Sequence, residues 1–266
     1  SNSDLETLLA VDRGAQQDRV VGGSVLVAER LAADLDVRLS TPVTTVAQDA
    51  AGARVVTRSG ETITADRVVV ALPPTLAGRL HFDPLLPAWR DQLTQRLPAG
   101  TVTKTFAAYP TPFWRDQGLN GQAASDTGPV KVTFDVSPPD GEVGILLGFV
   151  EGGEARRWQQ LGPAERRRAV LDSFTSYFGP QAGTPTAYLE KDWSSEEFTR
   201  GCYGAHFAPG VWTSYGRALR PPVGRIHWAG AEYAVEWNGY MEGAVRSGTA
   251  TAREVLEASP TAQPTN

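Results

Sequence analysis

Short apolar runs, separated by Gly and Pro, follow one another along the first third of the chain. Residues 67–72 contain three consecutive valines without alternation, which is typical of a strand buried on both faces of a parallel or mixed sheet. Such a sheet, covered by helices, indicates a nucleotide-binding type of domain. The β-rich composition predicts strands at residues 36–39, 43–47, 53–57, 62–65 and 67–72.

The middle of the chain has a different pattern, because apolar and polar residues alternate there. Strands are predicted at residues 102–109, 130–136 and 143–150, and their alternation is typical of antiparallel sheet. A helix is predicted to begin at Pro163 and to end at Gly179, since Pro favours the first turn and Gly follows the last. These elements predict a second domain of sheet plus helix.

Three further elements are predicted towards the two ends. A helix after Ser24 carries apolar residues at helical spacing as far as Leu35, and residues 225–229 form a buried strand. Residues 239–258 form a long helix, and residues 259–266 form a polar tail with too little apolar content to pack. The close-packing face of the long helix is predicted at four small residues, Gly243, Ala244, Gly248 and Ala252.

Composition excludes several classes of protein. The 266 residues suffice for one sizeable core or two smaller ones, and a net charge of -5 argues against nucleic-acid or anionic-membrane partners. No apolar run is long enough to span a membrane, and the first residues lack a secretory signal, so we expect a soluble, cytoplasmic protein. A single cysteine, Cys202, excludes an intrachain disulfide, and the spacing of the three histidines predicts no metal site.

Most candidate chemistry is weak. No nucleophile elbow is present, and the Gly22-Gly23-Ser24 turn lacks the spacing of a dinucleotide-binding loop. His206 lies four residues after Cys202, so a Cys/His pair is a minor alternative. Lys104 is stronger, because strand alternation places it on one face with Val102 and Phe106. The residues alone leave two interpretations of Lys104, a solvated side chain on an edge strand or a functional lysine in line with apolar neighbours.

Aromatic residues and glycines are dense between residues 193 and 240, and the motifs there are specific. The chain resembles the flavin-dependent monoamine oxidase family, and the matching motifs occur in the family's order over residues 17–258. They include Ala71-Leu-Pro-Pro-Thr75, Gly100 to Lys104, Gly201-Cys-Tyr203, Ala229-Gly-Ala-Glu232 and Trp237 to Ala244.

The resemblance implies a fold of class α/β plus α+β, in which an FAD-binding domain assembled from several segments accompanies an antiparallel-sheet substrate domain. The family's G-x-G-x-x-G turn and its acidic ribose ligand are not found, so the chain corresponds to a C-terminal portion. The implied segments are the end of a substrate-domain segment (1–20), an FAD-binding segment (21–93), the substrate-binding domain (94–195), a second FAD-binding segment (196–258) and a disordered tail (259–266).

The resemblance also implies catalytic roles. Lys104 matches the family lysine that holds a water against flavin N5. Tyr203 and Tyr240 match the two tyrosines that face each other in front of the flavin, flank the substrate amine and line its cavity. Their negative π faces suit a nitrogen that becomes electron-poor as hydride leaves, and core packing is the alternative role.

Cofactor contacts follow from the same resemblance, and no metal is implied. Cys202 matches the cysteine that forms a thioether to the flavin in the animal enzymes, although many bacterial relatives lack that bond. Trp193 is implied to line the flavin or the cavity wall. Gly230 and Glu232 match a turn that approaches the FAD diphosphate and ribitol through backbone N–H groups.

Three weaker positions complete the implied site. Met241 lies at a helix opening whose positive end points at the flavin pyrimidine. Val43 matches a backbone contact to the adenine, and Gln17 matches a residue that reaches the substrate cavity.

The implied reaction is the FAD-dependent oxidation of a primary or secondary amine to an imine, and then an aldehyde, with release of hydrogen peroxide. The expected partners are therefore a small-molecule amine and oxygen, without nucleic acid or membrane. Polyamine or putrescine oxidation and L-amino acid oxidation stay open, and so does a non-catalytic fragment that needs a separate N-terminal polypeptide. A homodimer is a further possibility for the assembly.

Overall fold

The computed structural model describes residues 14, 17–139 and 141–258. The chain forms two compact units. One, the central unit, comprises residues 98–206, and the other, the split unit, comprises the residues up to Leu97 together with those from Phe207. The assignment of segments to FAD-binding and substrate-binding domains stays a prediction. The predicted tail at 259–266 and most of the predicted segment 1–20 lie outside the described residues.

The described part of the chain contains helices and strands in mixed order, with 3-10 turns at Arg115–Gln117, Pro180–Gly183, Gly216–Ala218 and Ala231–Tyr233. In chain order the elements are α1 (Val25–Ala32), β1 (Val43–Gln48), β2 (Ala53–Thr57), β3 (Thr62–Ala65), β4 (Val68–Val70), α2 (Pro74–Ala77), β5 (His81–Asp83), α3 (Ala88–Thr94), β6 (Val102–Tyr109), β7 (Ala123–Ala124), β8 (Val132–Asp135), β9 (Gly144–Glu151), α4 (Gly152–Trp158), α5 (Pro163–Phe178), β10 (Ala187–Asp192), α6 (Val211–Tyr215), β11 (Ile226–Trp228) and α7 (Met241–Ala258).

The central unit is built on a five-stranded antiparallel sheet in the order β10-β6-β9-β8-β7. The predicted antiparallel pairing is therefore confirmed, although β8 is shorter than predicted. Helix α5 begins at Pro163 and ends before Gly179, as predicted. The sheet packs against α5 closely because Gly148 has no side chain: a Cβ there would lie 2.9 Å from the Phe174 ring.

The core of the central unit fills the space between the sheet and α5. Its buried residues include Ala107, Leu146 and Val150 from the sheet and Val170, Leu171 and Phe174 from the helix. Trp114 is completely buried in the same cluster, and its indole N–H donates to Asp135 Oδ2 at 2.9 Å. Burial of this apolar area is the main stabilising contribution to the unit.

The split unit contains a four-stranded sheet in the order β3-β2-β1-β5 and a separate parallel pair, β4 and β11. The parallel pairing of residues 67–72 is confirmed, and β11 is buried as predicted. Burial of β4 on both faces is wrong, because Val69 is 44% exposed while Val70 is buried. The strand predicted at 36–39 is also wrong: its apolar alternation is local, and these residues form no ladder with any described strand.

Two helices of the split unit differ in their packing. Helix α1 forms where the sequence predicts a helix, but it ends at Ala32 and buries none of its residues. Helix α7 buries Gly243, Ser247 and Thr251. Of the predicted small-residue face of α7, Gly243 is buried and Ala244 and Gly248 are partly buried, whereas Ala252 is exposed, so the prediction is wrong at Ala252.

Hydroxyl groups explain the buried face of α7. Ser247 Oγ accepts a hydrogen bond from the backbone N–H of Gly230 at 3.2 Å, and Thr251 Oγ1 donates to the Trp228 carbonyl at 2.8 Å. These bonds satisfy backbone groups that would otherwise be buried without partners, which favours the two polar residues over alanine or glycine on this face.

A fully buried guanidinium lies in the core of the split unit. Arg90 donates to the carbonyls of Ala218 and Leu219 at 2.9 and 2.5 Å, and its guanidinium carbon lies 3.8 Å from the centroid of the Trp228 ring. Burial lowers the pKa of Arg90, while the Tyr233 hydroxyl opposes this effect. The carbonyls and the aromatic face replace part of the water that the cation loses on folding, whereas Arg90 Nε is buried without a hydrogen-bond partner among the described residues.

Candidate active site

One face of the central sheet carries the strongest sequence candidate, Lys104. We call it the Lys104 face. Opposite residues of neighbouring antiparallel strands share a face, so the register places Lys104 beside Phe149 and Phe149 beside Val132. In the next row of the sheet, Leu147 of β9 lies opposite Phe106 of β6 and Phe134 of β8. The Lys104 face therefore consists of Lys104, Phe106, Val132, Phe134, Leu147 and Phe149, all partly buried, together with Leu189 and Lys191 of the edge strand β10, which lie opposite Phe106 and Lys104.

Lys104 and Lys191 are the charged residues among these eight, and Lys191 forms an ion pair with Glu196. The Lys104 Nζ lies 5.2 Å from the centroid of the Phe149 ring, and the Phe134 and Phe149 rings meet edge to face at 5.8 Å. Strand β6 lies between β10 and β9, so the interpretation of Lys104 as an edge-strand residue is wrong. Only the non-local pairing of strands decides this point, and the sequence does not show it.

The Cys202–Tyr203 segment is fixed at the beginning of β6. Cys202 N–H donates to the Gly100 carbonyl at 2.9 Å, and Gly100 N–H donates to the Gly204 carbonyl at 3.2 Å. Both glycines of the contact are required: a Cβ on Gly100 would lie 2.5 Å from the Cys202 carbonyl oxygen, and one on Gly201 would lie 2.4 Å from that of Gly100. The structure thus brings Cys202, Tyr203 and Lys104 into one region of the central unit.

Charges in this region act on the thiol and the phenol. Burial raises the pKa of the Cys202 thiol, Lys104 opposes this effect, and Asp192 and Glu151 add to it. Tyr203 is 61% exposed, yet desolvation and the nearby Glu151 charge raise the pKa of Tyr203 to about 12. Both groups are therefore neutral near pH 7.

Trp193 follows the edge strand β10 and borders the same segment. Its carbonyl accepts a hydrogen bond from Gly201 N–H at 2.9 Å, and Lys191 Nζ lies 5.2 Å from its ring centroid. The next residue, Ser194, has a buried hydroxyl without a partner among the described residues.

The remaining candidates lie in the split unit. Gly230 has a φ of 132°, a backbone conformation that residues with a side chain rarely adopt. It precedes the turn Ala231–Tyr233 between β11 and α7. Its N–H is already bonded to Ser247, so it is not free for a ligand. Burial raises the pKa of the Glu232 carboxyl, although the carboxylate accepts a hydrogen bond from its own backbone N–H.

Tyr240 and Met241 stand where α7 begins. The Tyr240 ring packs edge to face on Trp237 at 5.7 Å, and Met241 is the first, exposed residue of the 18-residue helix. Gly243 allows the helix to approach the preceding loop, because a Cβ there would lie 2.1 Å from the Trp237 carbonyl oxygen. The first-turn N–H groups of α7 supply a partial positive charge at this point.

Two weaker candidates lie apart from these features. Val43 begins β1 opposite Thr57, with a register irregularity directly after it. Gln17 is exposed, and its N–H donates to the Gly14 carbonyl at 3.2 Å. Their assigned contacts, and the facing arrangement of Tyr203 and Tyr240, stay predictions.

Two classes of feature are not found within the described residues. No group of His, Cys, Asp and Glu could hold a metal ion there. No described helix is both long and apolar enough to cross a bilayer.

Comparison with known proteins identifies the family. The family model described as "Flavin containing amine oxidoreductase" matches residues 1–256. The chain belongs to this family. The "Probable flavin-containing monoamine oxidase A" of Dictyostelium discoideum is 45% identical over 253 residues, which cover 94% of this chain and 56% of that protein. Since FAD is the cofactor of the family, the cofactor implied by the sequence is confirmed.

Other similar proteins are named for different substrates. The "L-amino acid dehydrogenase" of Synechocystis sp. is 43% identical over 237 residues, which cover 88% of this chain and 50% of that protein. A putrescine oxidase whose cofactor binding was redesigned by an alanine-to-cysteine substitution superposes with a TM-score of 0.86 at 39% identity, covering 91% of this chain and 54% of that chain. The chain thus spans about half the length of the relatives it matches.

The structure adds residues that the sequence did not single out. Phe149, Phe134 and Leu147 share the Lys104 face, and the charge of Glu151 helps to raise the pKa of Tyr203. Alternation along β9 indicates that its odd-numbered residues share a side. The alternation does not show that these residues lie on the same face as Lys104, because that depends on which strands pair with each other.

Proposed function

We propose that this chain supplies the substrate side and part of the cofactor side of an FAD-dependent amine oxidase, which oxidises an amine to an imine while oxygen becomes hydrogen peroxide. The observation that carries the proposal is Lys104, a charged group on an interior strand of a partly open, mostly apolar face, close to the backbone that holds Cys202 and Tyr203. Family membership supports the same reaction class.

The donor set fits a flavin. A half-buried thiol at Cys202, an indole at Trp193 and the helix N-terminus at Met241 are groups that contact an aromatic, partly anionic ring system. Glu232 and Val43 would contact the diphosphate or ribitol and the adenine, and Gly230, whose N–H is bonded to Ser247, would let the turn approach the cofactor closely because it has no side chain. When bound, the flavin supplies the hydride-accepting and oxygen-reacting chemistry.

The chain's own residues then have distinct tasks. The π faces of Tyr203 and Tyr240 flank the amine and favour a nitrogen that becomes electron-poor. Lys104 holds a water and moves a proton during reoxidation. The positive end of α7 stabilises negative charge at the cofactor.

Apolar surroundings favour one substrate class. Six of the eight residues of the Lys104 face are apolar and the other two are lysines, which would repel a second ammonium group, so we propose an amine with an apolar substituent in preference to a diamine. Gln17 would reach the same substrate cavity. Cytoplasmic localisation and homodimer formation stay predictions, and no observation favours a non-catalytic fragment.

The visible spectrum of the purified protein, before and after acid precipitation, tests the cofactor assignment. We expect a yellow protein whose colour bleaches when benzylamine is added without oxygen, and less so with putrescine. Colour that stays with the acid pellet, and is released to the supernatant by Cys202→Ala, would establish a thioether. A protein that binds FAD but is bleached by no amine would contradict the proposed function.

A further inference from the structure

Helix α7 is attached to β11 and to the turn after it at three levels, and the hydroxyl bonds of Ser247 and Thr251 are two of them. At the third level, Glu254 Oε1 is hydrogen-bonded to Nδ1 of His227, the middle residue of β11. The His227 side chain is only 1% exposed. The two hydroxyls bond to backbone groups, so His227 is the titratable partner among the three attachments.

The second ring nitrogen of His227 faces a cation. Arg67 directly precedes β4, and its Nη1 lies 3.5 Å from His227 Nε2. Its Nη2 donates to the carbonyl of Ala258, the last residue of α7. A guanidinium only donates, so Nε2 accepts and the ring proton is on Nδ1, which donates it to the Glu254 carboxylate. A neutral imidazole thus connects Arg67 to Glu254.

A second ring proton is incompatible with this arrangement. A protonated imidazole has donors on both nitrogens, so Nε2–H would face the N–H groups and the positive charge of Arg67. The Glu254 carboxylate attracts the protonated ring, but its side chain is 43% exposed and water screens that attraction. Protonation therefore separates Arg67 from the ring and weakens its hold on the end of α7.

Other charges near the ring are balanced. Besides Arg67 and Glu254, the elements packed against His227 carry four charged side chains within three residues of these groups. Arg225 is held by the carbonyls of Asp49, Ala50 and Asp66. Two of the four are acidic and two are basic, so they add little net charge at the ring: Asp66, Arg225, Arg253 and Glu257.

We propose that His227 is an acid-sensitive attachment of α7, whose neutral ring fixes the helix on β11 and whose protonation releases the C-terminal half of the helix. An effect on cofactor affinity rests on the proposed function, because that function assigns Met241 at the beginning of α7 and the Gly230 turn to the flavin. The attachment of the helix itself does not depend on that assignment.

Nitrogen resonances of the histidine rings test the tautomer. The chain has three histidines, so in protein labelled with 15N-histidine the His227 signals remain when the two exposed ones are replaced in His81→Gln and His206→Gln. Near pH 7.5, we expect His227 to be protonated at Nδ1 and unprotonated at Nε2. A neutral ring that carries its proton on Nε2 would overturn the proposal.

Hydrogen exchange tests the release. After correction for the intrinsic exchange rate, we expect the protection of amides 251–258 to fall about tenfold between about pH 7.5 and about pH 5.5, since loss of one hydrogen bond to a charged group typically has this effect. Helix α5 is the internal control and should keep its protection. His227→Gln keeps a donor and an acceptor but does not titrate, so its α7 should not respond to pH.

A second variant removes the cation and keeps the histidine. In Arg67→Met the protonated ring meets only the Glu254 carboxylate, so acid should no longer lower the protection of α7 and should raise it. Arg79→Met, at an exposed arginine of the same unit, should respond to pH as the parent protein does.

The dissociation constant for FAD, measured at the same two pH values, tests the consequence for the cofactor. It should rise in acid in the parent protein and not in His227→Gln. No loss of protection in the parent, or equal losses in the parent, His227→Gln and Arg67→Met, would overturn the proposal. A protein that binds FAD at neither pH would contradict the proposed function, whereas the exchange data still decide whether His227 holds α7.

Discussion

The two faces of the central sheet come from the same strands but have opposite properties. Along each strand, residues that face α5 alternate with residues of the Lys104 face. The residues that face α5 are completely buried at six positions: Thr103, Thr105, Ala107, Thr133, Leu146 and Val150. The Lys104 face carries larger apolar groups, and all of them are at least partly exposed. The first face contains mostly small and hydroxyl residues that pack under a helix, whereas the second carries aromatic rings and two lysines. This difference indicates that one face stabilises the fold and the other meets a ligand.

The largest expected effect on stability is on the α5 side. Phe174→Ala removes a completely buried ring, so we expect the free energy of unfolding to fall by about 3–5 kcal/mol. Denaturant titration measures this change. A loss below about 1 kcal/mol would show that the α5 face is not tightly packed in solution.

A smaller stability effect is expected on the Lys104 side. Phe149→Ala removes a partly exposed ring, so the free energy of unfolding should fall by no more than about 2 kcal/mol. In the flavin-loaded protein, the KM for an apolar amine should rise, because the ring forms part of the proposed substrate wall. The comparison of the two faces would be wrong if Phe149→Ala destabilised the protein as much as Phe174→Ala and left KM unchanged.

The smallest expected effect is electrostatic. Lys104 lowers the pKa of the Cys202 thiol, so Lys104→Met should raise it and reduce the thiolate fraction at every pH below that pKa. Alkylation of Cys202 by iodoacetamide, measured on its peptide by mass spectrometry, should become several-fold slower, and its pH profile should shift upward. Lys131→Met is the control, since that lysine bonds to the Asp126 carbonyl. Identical profiles for the two variants would place Lys104 too far from the thiol to act on it.

Local signals predicted most of the central unit. Alternation located β6 and β9, and the Pro163 and Gly179 signals located α5, because each depends on nearby residues alone. The same local pattern at residues 36–39 predicted a strand that has no pairing partner among the described strands. Periodicity shows what a segment favours, but pairing decides whether a strand forms.

Long-range contacts account for what the sequence did not show. The interior position of β6, and with it the environment of Lys104, depends on β9 and β10, which lie about 40 and 80 residues away along the chain. The buried face of α7 depends on hydroxyl bonds to Gly230 and Trp228, which apolar periodicity does not predict. The roles of the candidate residues came from the resemblance of motifs, and they stay predictions until variants are measured.

The central claim is that Lys104 acts at the reacting surface. The most direct test compares Lys104→Met with Lys131→Met in the flavin-loaded protein, by stopped-flow measurement of flavin reoxidation by oxygen after reduction with an amine. A positioned proton donor typically contributes about 10²-fold or more, so we predict a slowing of that order in Lys104→Met and none in Lys131→Met. Equal rates of reoxidation in the two variants would remove Lys104 from the reaction and contradict the account.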